Sequence, residues 1–277
     1  MIITVVGLGV VGGSFVKALK GQGHEVYGVD VDEETLARAK ADGCIKEGFV
    51  DGQEIIKKSD MTIICLYPSL VLDYIKNHEF KKGSIITDAV GVKTHFFNEA
   101  MDLLKDKDFY FVSGNPMAGR ENKGYLYASK EVFQGANYIL IQHEENSKSA
   151  IAMMEQFVSN LGFHSVKIMS PQAHDEIISF TSQLPHVIAV SLIDSDNQKY
   201  DTGKYIGDSY RDLTRIANIN EDLWTELFFT NKNNLLKSIQ GFEDQLDILK
   251  KAIKEEDADT LKAMFIESSK RRRNLEK

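Results

Sequence analysis

The chain has 277 residues, 43% hydrophobic and 27% charged, with a formal net charge of −8, a length and balance that suit a globular protein of two ordinary domains. The excess of acids argues against a nucleic-acid partner, because it would repel a phosphate backbone. Cys44 and Cys65 match no metal-ligand spacing and imply no disulfide framework, and with no signal-like leader and no apolar run near the roughly 18 residues of a membrane span, the expectation is a cytoplasmic protein without metal or membrane.

In chain order, an apolar strand over 2–6 runs directly into Gly7-Leu8-Gly9-Val10-Val11-Gly12 and then into a helix over 12–21. A second strand over 25–29 ends in Asp30. Strand, GxGxxG, helix and a strand-end acid in this order form the dinucleotide-binding fingerprint. Gly7 permits the tight turn, Gly9 lets backbone approach a pyrophosphate, and Gly12 lets the helix pack against the strand. Leu8, Val10 and Val11 complete the turn, whose unpaired N–H groups and helix dipole attract phosphate. Asp30 suits the adenosine ribose hydroxyls and would repel a 2′-phosphate, so NAD is expected as cofactor rather than NADP. Arg38 lies on the next helix, but no basic residue directly follows Asp30.

Further strands are expected over 61–66, 84–87, 109–113, 137–141 and 164–168, with helices over 33–41, 52–58, 69–77, 93–104 and 147–161. This alternation predicts an α/β Rossmann domain with a parallel sheet covered on both faces, over 1–169. Ligands of such sheets bind beyond the carboxyl ends of the strands. Pro68 and Asp88, in the loops after Leu66 and Thr87, are therefore expected at the cofactor. From 170 the strand pattern stops, and an all-helical C-terminal domain is expected over 170–277, with helices at 171–198, 204–217, 220–240 and 242–275. Leu235, Ile239, Phe242, Leu246, Leu249 and Ile253 recur at helical spacing. Such a stripe is usually core, and it could also bury the face of a homodimer.

Three further clusters stand out: Gly114-Asn115-Pro116-Met117-Ala118-Gly119-Arg120-Glu121; Ser182-Gln183-Leu184-Pro185-His186; and Tyr210-Arg211-Asp212-Leu213-Thr214-Arg215, followed by Trp224. With the fingerprint and the segment Thr87-Asp88-Ala89-Val90-Gly91-Val92-Lys93, they resemble the prephenate/arogenate dehydrogenase family over nearly the whole chain and in the family's order. The resemblance implies NAD-dependent oxidation of prephenate at its ring C4 alcohol. Carbon dioxide is lost and 4-hydroxyphenylpyruvate forms, a step of tyrosine biosynthesis. It implies that Arg215 binds a substrate carboxylate, a task suited to a guanidinium fork, with Arg211 one turn earlier as a structural ion-pair former. It implies that His186 contacts substrate, that Glu121 gates the pocket, and that Gln183 stands where a histidine is common, as a polar residue behind the site. Lys93 either orients backbone near the nicotinamide or simply begins a helix. His174-Asp175 is read as a structural feature of a helix start. The length leaves no room for the regulatory or mutase domains that some members carry.

The chain departs from the family at two catalytic positions. Asn115 stands where the family has the histidine that accepts the hydrogen bond of the 4-hydroxyl, and Gly91 where it commonly has a bridging serine. An asparagine oxygen accepts a hydrogen bond but takes no proton near neutral pH, and general-base catalysis is worth roughly 10²–10⁴-fold. Several readings stay open. A His→Asn change was introduced deliberately; Asn115 serves as acceptor in a prephenate or arogenate enzyme; the substrate is 4-amino-4-deoxyprephenate; or the chain is a catalytically weakened NAD-binding homologue. The 6-phosphogluconate and 3-hydroxyacid types of dehydrogenase lack a place for the Asn115-Pro116-Met117-Ala118-Gly119 turn.

Overall fold

The computed structural model describes residues 1–105, 107–119, 122–143 and 147–275. Glu121 and Arg120 lie outside the described residues. By contact the chain divides into two units, Met1–Asn231 and Lys232–Lys277.

In the first unit the strands are β1 Ile2–Val6, β2 Glu25–Val29, β3 Glu47–Phe49, β4 Met61–Ile64, β5 Ile85–Asp88 and β6 Tyr110–Phe111. They pair in parallel in the order β3-β2-β1-β4-β5-β6, the doubly wound order whose reversal lies between β1 and β4. The reason is visible in the residues. β1 and β4 are almost wholly buried apolar or threonine runs, which fits strands covered on both faces. The covering connectors are α1 Val10–Leu19, α2 Glu33–Ala41, α3 Gln53–Ile56, α4 Pro68–Asn77 and α5 Thr94–Leu104.

The strand at 137–141 does not extend this sheet. A separate three-stranded sheet contains β7 Gly114–Pro116, β8 Asn137–Ile141 and β9 Ser165–Met169. β7 runs antiparallel to β8, whereas β9 runs parallel to it, connected through α6 Lys148–Ser159. β8 alternates between two cores: Tyr138 and Leu140 pack with Ile3, Val5 and Phe15, while Ile139 and Ile141 pack with Ile64, Val71 and Phe96. Sequence reading missed β3 and β7 because Glu-Gly-Phe and Gly-Asn-Pro have little strand propensity. Pairing with neighbours, not propensity, makes them strands. Pro116 is accommodated because β7 is an edge strand.

After Met169 every described regular element is helical. α7 Pro171–Ile178 and α8 Leu184–Asp194 are joined without a break by a π-helical stretch, Ser179–Gln183. This helix of 24 residues, with a mean hydropathy of 1.3 over its most apolar window, is long and apolar enough to cross a membrane, contrary to the sequence expectation. Its His174, Asp175 and Gln183 are nonetheless buried against protein groups. α9 Asp208–Thr214, a short 3-10 turn at Arg215–Ala217 and α10 Glu221–Thr230 complete the unit.

The second unit contains α11 Lys232–Lys254 packed against α12 Ala258–Asn274. The helix break expected at Gly241 falls instead at Asn231 and at Glu255–Asp257. A glycine inside a helix costs only about 1 kcal/mol, so α11 runs through it. Asn231, by contrast, turns its amide inward to Asp175 O and Gln183 Oε1 at 2.9 and 2.8 Å, and Asp257 caps α12 by accepting from Thr260 N at 3.0 Å. Of the apolar stripe, Leu235 is buried, whereas Phe242, Leu246 and Ile253 are exposed in the single chain, so the stripe is only partly core.

Candidate active site

At the carboxyl edge of the sheet, the glycine turn is built by sterics. Gly7 has φ +81°, and a Cβ on it would lie 2.6 Å from Cys65 O. A Cβ on Gly12 would lie 1.9 Å from Gly7 O, whereas one on Gly9 would meet no protein atom within 4 Å. α1 begins with no side-chain cap and no acid in its first turn, so its leading N–H groups remain available. Gly9, Val10 and Val11 are partly exposed, while Gly7, Leu8 and Gly12 are buried. Asp30 is locked to this turn, since Oδ2 accepts from Leu8 N at 2.6 Å and Oδ1 from Asp32 N at 2.9 Å. Each oxygen retains a lone pair for a hydroxyl donor. The uncapped helix start, the open face at Gly9 and the acceptor at Asp30 therefore fit a dinucleotide. A recess is lined by Asp32, Thr35, Arg38, Lys123 and Tyr125, with Arg38 bonded to Glu34 at 2.8 Å.

The loops after β4 and β5 are held differently. Pro68 opens α4, and Ser69 N donates to Glu226 Oε1 of α10 at 2.7 Å. Asp88, expected among the cofactor contacts, has no exposed surface. Its Oδ1 accepts from Lys93 Nζ at 2.6 Å and Val90 N at 2.8 Å, so it shapes the Asp88–Lys93 loop from beneath. Lys93 is equally buried and also donates to Gly114 O at 2.7 Å. Burial pushes the Lys93 ammonium below its usual pKa, and the Asp88 carboxylate opposes that shift. Gly91 lies in this loop, where an added Cβ would approach Leu227 of α10 to 3.2 Å.

Asn115 sits in the middle of β7, paired with Ile139 of β8, and is 7% exposed. Its close seat depends on Gly114, where a Cβ would fall 2.2 Å from Tyr138 Oη. Asn115 Nδ2 lies 2.9 Å from His174 Nε2, and His174 Nδ1 lies 2.8 Å from Asp175 Oδ1. Asp175 also accepts from Lys93 N at 2.8 Å and Thr94 N at 2.7 Å, thereby capping α5. His174 and Asp175, read from sequence as a structural helix start, thus connect directly to Asn115, the position expected from the sequence to be catalytic. Burial pushes the His174 ring below its ordinary pKa. Burial would raise Asp175, but the hydrogen bonds from His174, Lys93 and Thr94 outweigh it and hold the carboxyl below the usual range.

His186, on α8, stacks on Trp224 with ring centroids 3.6 Å apart. Its Nδ1 bonds to Ser182 O at 2.8 Å, which leaves Nε2 as the second polar atom of the ring. Burial pushes its pKa down, against the effect of the Ser182 carbonyl. Gln183 is buried behind the site, donating to Leu227 O at 2.9 Å and accepting from Asn231. Arg215 begins the 3-10 turn packed against α8, and Arg211 pairs with Asp208 at 3.3 Å. Sequence reading did not connect His174 to Asn115, since the two are 59 residues apart. The usable signal was the adjacent His-Asp pair at a helix start.

Comparison with known proteins gives this geometry a family. Residues 15–167 match the model of the prephenate dehydrogenase nucleotide-binding domain, and residues 170–267 that of the prephenate dehydrogenase dimerization domain. The chain belongs to the prephenate dehydrogenase family. It is 28% identical over 276 residues to the prephenate dehydrogenase of Bacillus subtilis (strain 168), covering 95% of this chain and 73% of that protein. It is 29% identical over 280 residues to the cyclohexadienyl dehydrogenase of Zymomonas mobilis, covering 98% of this chain and 94% of that one. Among solved structures, the prephenate dehydrogenase of Aquifex aeolicus in complex with hydroxyphenyl propionate and NAD+ superposes with a TM-score of 0.88 at 28% identity, covering 99% of this chain and 98% of that chain. Within this prephenate dehydrogenase fold, Asn115 and Gly91 mark the positions where the sequence reading found the departure from the family.

Proposed function

We propose that this chain is an NAD-dependent dehydrogenase of prephenate, producing 4-hydroxyphenylpyruvate and carbon dioxide. The observation that carries the reading is the uncapped start of α1 beside the open face of Gly9, with Asp30 fixed at its flank, in a chain of this family. Bound NAD supplies the hydride acceptor. The residues of this chain bind and orient the substrate. Arg215 takes a substrate carboxylate, a pairing that a guanidinium makes bidentately. His186, held by Ser182 and Trp224, presents Nε2 to the substrate, with Gly91 bordering the pocket. Asn115 accepts the hydrogen bond of the ring hydroxyl.

The arithmetic of the reaction makes an asparagine tolerable there. Prephenate loses a hydride and carbon dioxide, and the ring aromatises. The hydroxyl proton is still present on the phenol of the product, so no net proton transfer is required. An acceptor that stabilises the partial positive charge on that proton is sufficient, though less effective than a base. The reading extends to a division near 169/170 between cofactor-binding and substrate-binding parts, to a homodimer formed through the helical part, and to the cytoplasm.

The test is NADH formation from NAD and prephenate, with arogenate and 4-amino-4-deoxyprephenate run in parallel. Turnover of prephenate is expected, and Asn115→His should raise kcat on the order of 10²-fold. Binding of NAD with no turnover of any of the three substrates would replace this reading with a cofactor-binding homologue.

A further inference from the structure

The hydrogen bonds around Asn115 have only one consistent direction. Asp175 is 1% exposed, and its carboxylate takes bonds from Lys93 N, Thr94 N and His174 Nδ1 at 2.8, 2.7 and 2.8 Å. An ionised carboxylate only accepts, so His174 Nδ1 carries the proton. The His174 ring is itself fully buried, which favours its neutral form. A neutral ring protonated at Nδ1 has a bare lone pair at Nε2. Nε2 faces Asn115 Nδ2 at 2.9 Å, so the amide nitrogen donates there. Asn115 Oδ1 is thereby directed away from His174, and it has no hydrogen-bond partner among the described residues.

We propose that His174 is a positioning residue that sets the polarity of Asn115, fixing Oδ1 as the acceptor for a hydrogen-bond donor on ring C4 of the substrate. The proposal rests on the ring-binding function put forward above. It gives the site a defined selectivity: ring ligands with a donor at C4 are favoured over ligands lacking one. It also gives a pH signature. A protonated His174 donates from Nε2, which forces the amide to rotate and to offer Nδ2 in place of Oδ1. The charged groups that act on the ring are Asp175 on its own helix, Lys93 at the head of α5 and Asp88 at the end of β5. β8, packed against α7, brings only Tyr138 as a titratable group, and the Ser179–Gln183 stretch brings none. Burial holds the His174 pKa below its ordinary value, so the change lies on the acid side of 6.5.

Calorimetric titration of the NAD-loaded protein with 4-hydroxyphenylpropionate and with 3-phenylpropionate tests this without turnover. The wild type should prefer the hydroxylated ligand about tenfold, the worth of one good hydrogen bond, and should lose that preference as pH falls below 6.5. His174→Phe and Asn115→Ala should each abolish the preference, and the double variant should lose nothing more. His174→Gln, whose side-chain oxygen can still accept from Asn115 Nδ2, should keep the preference and make it independent of pH. Unchanged NAD affinity reports that each variant is folded. A preference that survives His174→Phe in a folded protein, or losses that add in the double variant, overturns the proposal. If neither ligand binds the wild type, the ring-binding function fails, and nitrogen-15 shifts of the His174 ring decide the present point. Protonated Nδ1 with bare Nε2 is expected there, and the reverse tautomer overturns the proposal.

Discussion

Among the helices that leave the carboxyl edge of the parallel sheet, those following β1, β4 and β5 handle their unpaired N–H groups in two ways. α1 starts at Gly9 with no cap and no acid in its first turn. α4 and α5 also lack a cap from their own residues, but each receives a carboxylate from a helix far along the chain, Glu226 at Ser69 N and Asp175 at Lys93 N and Thr94 N. A helix start attracts an anion wherever it lies. Where the protein supplies the anion, the helix start serves to dock α7 and α10. Where it supplies none, the place is left for a ligand phosphate. The same local physics thus makes an interface at two positions and leaves the third helix start free of a protein anion among the described residues.

The strongest way to break this comparison is to remove a supplied anion. Asp175→Asn leaves buried donors of α5 and His174 without a carboxylate, and should cost about 3 kcal/mol of stability in denaturant unfolding. A loss near zero would mean that the α5 cap is incidental. Next comes the vacant helix start. Gly9→Ala adds a Cβ that meets no protein atom within 4 Å, so the melting temperature should not move. NAD should bind at least about tenfold more weakly, or about 1.4 kcal/mol, as measured by titration. Equal NAD affinity would show that the diphosphate does not approach Gly9.

Acid should affect the supplied cap through its histidine. His174 and His186 have folded-state pKa values lowered by burial, so between those values and about 6.5 the unfolded chain binds more protons than the folded one. Stability therefore falls as pH is lowered through that window, by up to about 1.4 kcal/mol per pH unit for each histidine. Asp175, also lowered, adds a loss of the same sign at still lower pH. Melting temperatures from pH 7.5 to 5.5 check the first effect, and His174→Gln should flatten part of it. The smallest expected change is Glu226→Gln. This cap lies near solvent, so the loss should be about 0.5–1 kcal/mol. A much larger loss would place α10 docking above the α5 network.

How much of this was legible in sequence follows the span of each interaction. The glycine turn, α1, β2 and Asp30 occupy one short stretch, and the main strands carried their own apolar signal. The parallel sheet followed from the βαβ pattern, but its strand order did not, and the strands at 137–141 and 165–169 belong to a second sheet. β3 and β7 were silent, because their residues become strands only by pairing with neighbours. His186 and Arg215 were expected at the site from their motifs, yet the stacking of His186 on Trp224 was not in the motif. The role of His174 was not visible because it arises from contact between β7 and α7, and Asp88 was taken as a cofactor contact although it lies beneath the loop.

By itself, the sequence determined what backbone sterics and short-range pattern determine: a tight turn that needs glycine at 7 and 12, a parallel sheet of largely apolar strands, and helices with one apolar face. It also placed an asparagine at 115, where the resemblance implies a histidine. Tertiary structure alone decided which way that asparagine points. A neutral amide has no preferred direction of its own; its orientation here comes from a buried carboxylate and a neutral imidazole, brought to it from a helix 59 residues away.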